Sequence, residues 1–192
     1  MEKLSRKDWI VKFYPVASQV TAGTGIFPET LLAMAVVESQ GKASDGNWYP
    51  GLGLVARTAN NYFGIKASSR WNGPTVDLPT PGDADKISTF RKYASVGESI
   101  ADFIQFLKVN PRYTTAGVFR ATNYVDQIIA IARAGYAESP TYTSIVTAVA
   151  KKVQEYTKDL INSANNNSRN ILPILIAGLL IGGFFFFNKL KG

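Results

Sequence analysis

From Ile171 to Phe187 the chain reads ILPILIAGLLIGGFFFF, 17 residues without one polar or charged side chain. A helix of that length measures roughly 25 Å against a hydrocarbon core of about 30 Å, so the run predicts a transmembrane helix over 171–188 with slight local thinning of the bilayer. Pro173 falls near the start, where a missing N–H is tolerated, and Arg169, Lys189 and Lys191 flank the run as interfacial anchors. A helix buried in a soluble core is seldom apolar on every face, which favours membrane lipid as the partner of this one. Gly178 and Gly182 form a G-x-x-x-G step that would let two such helices associate closely. The preceding polar stretch, NSANNNSRN, predicts a flexible linker over 161–170, and residues 189–192 form a short basic tail. What remains, residues 1–160, is the length of one ordinary domain with its own core.

The chemistry open to that domain is narrow. The chain has no Cys and no His, which removes disulfides, thiolate and imidazole metal sites, Cys nucleophiles and every scheme built on an imidazole base. Hydrolysis would have to run on carboxylates, Tyr or Lys, and no metal or organic cofactor is called for. The 21 Lys and Arg against 14 Asp and Glu suit an anionic partner such as a cell wall or a phospholipid surface. Three of the basic residues follow position 160, leaving 18 basic and 14 acidic side chains before it. That balance is too even for a typical nucleic-acid binder, so no nucleic acid is expected.

Within residues 1–160 the dominant period is helical. Ser5 and Asp8 make an S-x-x-D start, with Trp9, Phe13 and Val16 on one side, and Pro15 is expected to kink or end that helix. Pro28 and Glu29 open TLLAMAVVES, and Ser95 with Glu98 caps a helix carrying Ile100, Phe103, Ile104 and Leu107. Val125, Ile128, Ile129 and Ala132 repeat the pattern up to Gly135, and Ser139-Pro140 starts a helix carrying Ile145, Val149 and Val153. Between Tyr62 and Tyr93 the character changes to Gly, Pro, Thr and short alternating runs such as TVDL, which predicts a small β-lobe. In LLAMAVVES, Leu31, Ala35 and Glu38 fall at i, i+4 and i+7, so the carboxyl shares a face with aliphatic side chains expected to turn inward. Desolvation there raises a carboxyl pKa, the state wanted of a general acid; the competing interpretation is a boundary Glu at a helix end, bonded to nearby backbone.

The stretches LLAMAVVESQGKAS, LVARTANNYFGIKA, RWNGPTVDLPT, STFRKYASVGESIADFIQFL, NPRY and AGYAESPTY keep the order and approximate spacing found in glycoside hydrolase family 73. Over roughly residues 8–155 the chain resembles these N-acetylglucosaminidases, which include flagellar-rod peptidoglycan hydrolases and many bacterial and phage autolysins. The resemblance implies an α+β, lysozyme-like fold with a mostly helical lobe and a small β-lobe, and it makes Glu38 the acid that protonates the glycosidic oxygen. Such enzymes commonly use a second carboxylate. The family supplies a Glu in a T-x-E step, but here Thr80-Pro81 is followed by Gly82. Asp83 is then the first substitute and Asp85 the second, with Asp77 a little earlier. All three are also ordinary turn acids, and the substrate's 2-acetamido group could replace a second protein carboxylate.

By the same resemblance Asn61 and Phe63 would hydrogen-bond and pack against a sugar, and Tyr113 and Tyr136 would stand near the acid. Each Tyr also fits as a core residue whose hydroxyl finds a backbone partner. Trp71 is a candidate sugar platform or a packing residue, and the loop GNWYPGLGL, residues 46–54, offers Trp48 and Tyr49 for a glycan subsite.

The expected function is a membrane-anchored peptidoglycan hydrolase cleaving after N-acetylglucosamine. The alternative is a noncatalytic wall-binding or virion membrane protein that kept the fold, a view favoured by Gly82 and opposed by Glu38. The opening MEKLSRKDWIVKFYP lacks the apolar run of a secretory signal. A wall enzyme held by a C-terminal anchor would then reach its substrate from a virion internal membrane or once the host membrane fails.

Overall fold

The helix that ends at Glu38 is surrounded. In the computed structural model, which describes residues 2–137 and 139–162, helix α2 (Pro28–Glu38) has every residue from Thr30 to Val36 buried. The expected inward face, Leu31 and Ala35, is buried, and so are the other faces, as in a central helix; the two ends, Pro28 with Glu29 and Val37 with Glu38, are the parts that emerge. Pro28 sits at its first turn, where no N–H is needed.

A second helix packs on it and ties it to a third. Helix α1 (Arg6–Thr21) starts at Ser5, whose Oγ accepts from the Asp8 N–H at 3.1 Å, and packs on both α2 and α4 (Val96–Val109). It continues through Pro15 to Thr21, so of the expected kink or end the end does not occur. Pro15 lies on the exposed side, while Trp9, Ile10, Tyr14, Ala17 and Thr21 are buried on the other, so packing outweighs the lost backbone bond. The α4 cap forms as predicted: Ser95 Oγ accepts from the Glu98 N–H at 3.1 Å, and the Glu98 carboxylate takes the Ala94 N–H at 2.9 Å. Its stripe Ile100, Phe103, Ile104 and Leu107 is buried.

After α2 come two short strands, β1 (Gly41–Lys42) and β2 (Trp48–Tyr49), paired antiparallel, and then α3 (Leu54–Ala59). The β-lobe is a single hairpin of β3 (Thr75–Thr80) and β4 (Asp83–Arg91), turning at Pro81-Gly82 with Gly82 at φ 84°. Its base is anchored by Phe90, 1% exposed, whereas Asp83 to Ile87 at the tip stand in solvent. Arg91 carries the anchorage to α4: its Nη1 reaches both carboxylate oxygens of Asp102 at 2.8 and 2.9 Å, and the Tyr93 hydroxyl donates to the same carboxylate at 2.6 Å.

A short α5 (Pro111–Thr115), a 3-10 turn (Val118–Arg120) and α6 (Tyr124–Arg133) complete the helical lobe, followed by α7 over 142–162. The buried side chains of α6 are Gln127, Ile128, Ala130 and Ile131, a rotation away from the expected Ile129 and Ala132. On α7, Ile145 is 48% exposed, and Val146, Val149, Ala150 and Val153 form the buried stripe instead. Met1–Tyr156 is one compact unit. The helix continues to 162, two residues into the expected linker. The rest of that linker, the predicted transmembrane run with Gly178 and Gly182, and the basic tail lie outside the described residues. Among the described residues no helix is long and apolar enough to cross a membrane.

Candidate active site

The turn after Glu38 is held from behind. Ser39, 2% exposed, accepts the Gly51 N–H on its Oγ at 2.9 Å and the Gly53 N–H on its carbonyl at 2.8 Å. A Cβ on Gly41 would collide with the Leu52 backbone, and one on Gly53 would lie 2.9 Å from the Ser39 carbonyl oxygen. Glycine at both positions lets the loop close tightly against the helix end. Glu38 is therefore delivered by a rigid central helix and fixed by a buried hydroxyl on the next residue.

Beyond it opens a cleft of about 580 Å³. Val37 and Glu38 form one wall, Phe63 to Lys66 a second, Phe106 and Arg112 a third, and Tyr136, Ala137, Ser139 and Tyr142 a fourth. By surface area Glu38 is open to this cleft, yet protein crowds its carboxyl on the other sides. The crowding governs ionisation, because a carboxylate at the foot of a cleft is solvated from one side only. Desolvation raises the Glu38 pKa above the usual carboxylate range, and the Tyr142 hydroxyl partly opposes it. That hydroxyl has no hydrogen-bond partner at bonding geometry among the described residues, so the two groups are neighbours without a closed bond.

Aromatic contacts fix the remaining walls. Phe63 stacks on Phe103 with centroids 4.1 Å apart, and Tyr136 meets Phe103 edge-on at 5.5 Å and Tyr142 at 5.9 Å. Arg112 donates from Nη2 to the Tyr113 hydroxyl at 2.7 Å. Burial pushes the Tyr113, Tyr136 and Tyr142 phenols upward in pKa, and the charge of Glu38 adds to this for Tyr136 and Tyr142. All three stay protonated at any ordinary pH. Among the described residues there is no group of three or more Asp or Glu able to hold a metal ion.

The structure brings Glu38, Phe63 and Tyr136 together, with Tyr113 directly behind, 0% exposed. It separates the others. The Asn61 side-chain amide, expected on the sugar, is 1% exposed and fully committed to backbone: Nδ2 donates to the Ile65 and Arg91 carbonyls, each at 2.9 Å, and Oδ1 accepts the Ile65 N–H at 3.0 Å. It shapes the loop bearing Phe63. Trp71 packs under the Arg91 guanidinium at 4.6 Å and donates from Nε1 to the Pro74 carbonyl at 3.0 Å, away from the cleft lining. Asp83 and Asp85 sit at the hairpin tip, exposed and absent from the residues lining the Glu38 cleft. Asp77 accepts from the Thr89 hydroxyl across the hairpin at 2.6 Å. Trp48 is 62% exposed, and the Tyr49 hydroxyl is bonded to Asp45 at 2.9 Å. Lys66, Arg112 and Tyr142 were missed, although each lies inside or beside a quoted motif.

The sequence profile of the glucosaminidase family, described as mannosyl-glycoprotein endo-beta-N-acetylglucosaminidase, matches residues 14–155. The chain belongs to the glucosaminidase family. Within this glycoside hydrolase family it is similar to the peptidoglycan hydrolase FlgJ of Vibrio parahaemolyticus, 33% identical over 78% of this chain and 48% of the relative. It is also similar to the exo-glucosaminidase LytG of Bacillus subtilis, 27% identical over 76% of this chain and 50% of the relative. The chain thus spans about half the length of the curated relatives it matches. The glycoside hydrolase domain of Salmonella typhimurium FlgJ superposes with a TM-score of 0.63 at 26% identity, covering 87% of this chain and 99% of that one. The helix-rich, lysozyme-like expectation therefore holds for this member of the family.

Proposed function

We propose that this glucosaminidase hydrolyses the glycan strand of bacterial peptidoglycan after N-acetylglucosamine, with Glu38 as general acid. The carrying observation is a carboxyl of raised pKa, fixed at the end of a buried helix and opening into a cleft sized for sugar rings. Neutral Glu38 donates its proton to the glycosidic oxygen, the C–O bond breaks, and the leaving sugar departs as a hydroxyl. Phe63, Tyr136 and the neighbouring backbone at Gly64 form the walls against which the rings lie. Gly64 has φ 62° and nothing within 4 Å of a would-be Cβ, so its backbone is open to the ligand.

Glu38 is the sole carboxylate among the described residues lining the cleft. This supports a route in which the substrate's own 2-acetamido oxygen bonds to the anomeric carbon as the leaving sugar departs, and water then displaces it there while giving its proton to the Glu38 carboxylate, with Asp83 and Asp85 outside the chemistry. Lys66 and Arg112 make no ion pair among the described residues and face the same cleft, which suits strands carrying lactyl and peptide carboxylates. Membrane attachment through residues 171–188, at a virion or host membrane, belongs to the same proposal and rests on the apolar sequence of that run. Detergent extraction and immunodetection in purified particles and cell fractions test the attachment. Zymography tests the activity: clearing of purified walls by the wild type and none by Glu38→Gln is expected, with the rate falling as pH rises through the Glu38 pKa. Equal clearing by both proteins contradicts the assignment.

A further inference from the structure

Tyr142 is buried at the start of α7, lines the cleft beside Glu38, and carries a hydroxyl that finds no partner among the described residues. An unsatisfied buried hydroxyl costs stability, and a phenylalanine would fill the same space without that cost. The hydroxyl therefore calls for a role in a state other than the resting one. We infer that Tyr142 is a positioning residue whose hydroxyl stays unbonded while Glu38 is protonated and donates a hydrogen bond to the Glu38 carboxylate as the proton leaves for the glycosidic oxygen. The inference rests on Glu38 being the acid.

The chemistry balances without a proton from tyrosine. Glu38 gives up its proton, the glycosidic oxygen takes it and keeps the bonding electron pair, and Glu38 is left as an anion in a partly desolvated site. Burial and the nearby Glu38 and Tyr136 hold the Tyr142 phenol protonated, so it is a donor throughout. A donor that is idle in the ground state and bonded once charge develops lowers the barrier, because its interaction is made only on the way to the transition state. Tyr136 cannot substitute, since its hydroxyl is already directed to the Phe63 carbonyl at 3.4 Å.

The other groups facing Glu38 come from every wall. Tyr136 arrives from the segment after α6, Arg112 from α5, and Lys66 from the loop ahead of the hairpin, with Tyr113 behind them acting on Tyr136 and Tyr142. Among these groups Tyr142 is the one whose hydroxyl opposes the raised Glu38 pKa. Glu138 lies outside the described residues.

Tyr142→Phe separates this role from packing. Rates on soluble peptidoglycan strands are measured across pH for wild type, Tyr142→Phe and Glu38→Gln, together with thermal midpoints. The expected result is a kcat lowered about 10- to 100-fold, at or below the low end of what one transition-state donor supplies, with KM little changed. The basic limb of the profile should move up by about one pH unit, the worth of a hydrogen bond to a charged group, and the midpoint should be unchanged or higher. A wild-type rate and limb would overturn the inference. So would a slower enzyme whose limb stays in place and whose midpoint drops, because that is the signature of packing alone. An active Glu38→Gln would instead overturn the assignment of the acid.

Discussion

Gln127 is the buried residue whose removal is expected to damage the fold most cleanly. It is 0% exposed in the middle of α6, and its side chain ties three separate segments together. Nε2 donates to the Gly25 carbonyl at 2.8 Å and to the Val118 carbonyl at 2.9 Å, while Oε1 accepts the Phe27 N–H at 2.9 Å. Phe27 is the residue that starts α2, so this amide sets the entry of the helix that ends at Glu38. Gln127→Met keeps the volume and removes all three bonds, leaving the hydrogen-bonding term without a cavity term. The Val118 bond is buried and should cost about 1.5–2 kcal/mol. The other two are only partly buried, can regain water, and should cost about 0.5–1 kcal/mol each. The sum is about 3 kcal/mol, roughly two decades in the folding equilibrium, or a midpoint lower by about 6–12 °C for a domain of this size. Urea unfolding of the Met1–Tyr156 unit within the full chain, followed by tryptophan fluorescence, gives the value at constant m. A loss below about 1 kcal/mol would refute the view that this amide holds α2 in place.

Two further outcomes follow from the site. Glu38→Gln should match wild-type stability at about pH 3 and exceed it at about pH 7 in thermal melts. A carboxyl whose folded pKa is raised loses stability as pH rises from its unfolded value through its folded one, and the amide escapes that loss. Equal stability at both pH values would argue that Glu38 is not desolvated. Asp83→Asn and Asp85→Asn, singly and together, should keep kcat within about threefold of wild type, since a substrate-assisted route asks nothing of the hairpin tip. A loss of a hundredfold or more in either would return that residue to the chemistry.

The helical lobe was legible because its caps and periods are local. Ser95 with Glu98, the Pro28 start and the Gly135 stop, at φ 78°, all act within a few residues of where they are read. Glu38 was found by its place at the end of an apolar helix, although that helix proved to be buried on every side where one stripe had been expected. Pro15 misled because the cost of a proline is local, whereas the packing of Ile10, Tyr14 and Ala17 that outweighs it is tertiary. Asn61 was expected on the sugar and Trp71 was left between sugar platform and packing, because polar and aromatic side chains in a Gly-rich loop serve equally well to fold that loop. Only the structure showed their partners to be the Ile65 and Pro74 backbone. Tyr142 falls at helical spacing with Val146 and Val149, so its period marks it only as packing; what distinguishes it is a missing partner, and a sequence does not display that.

The central claim concerns one bond and one acid, and the new reducing ends report on both. Purified peptidoglycan is digested with the wild type and with Glu38→Gln, reduced with borohydride and separated by mass spectrometry. The account predicts fragments ending in reduced N-acetylglucosamine from the wild type and none above background from Glu38→Gln. Reduced N-acetylmuramic acid, anhydro ends, or the same products from both proteins would contradict it.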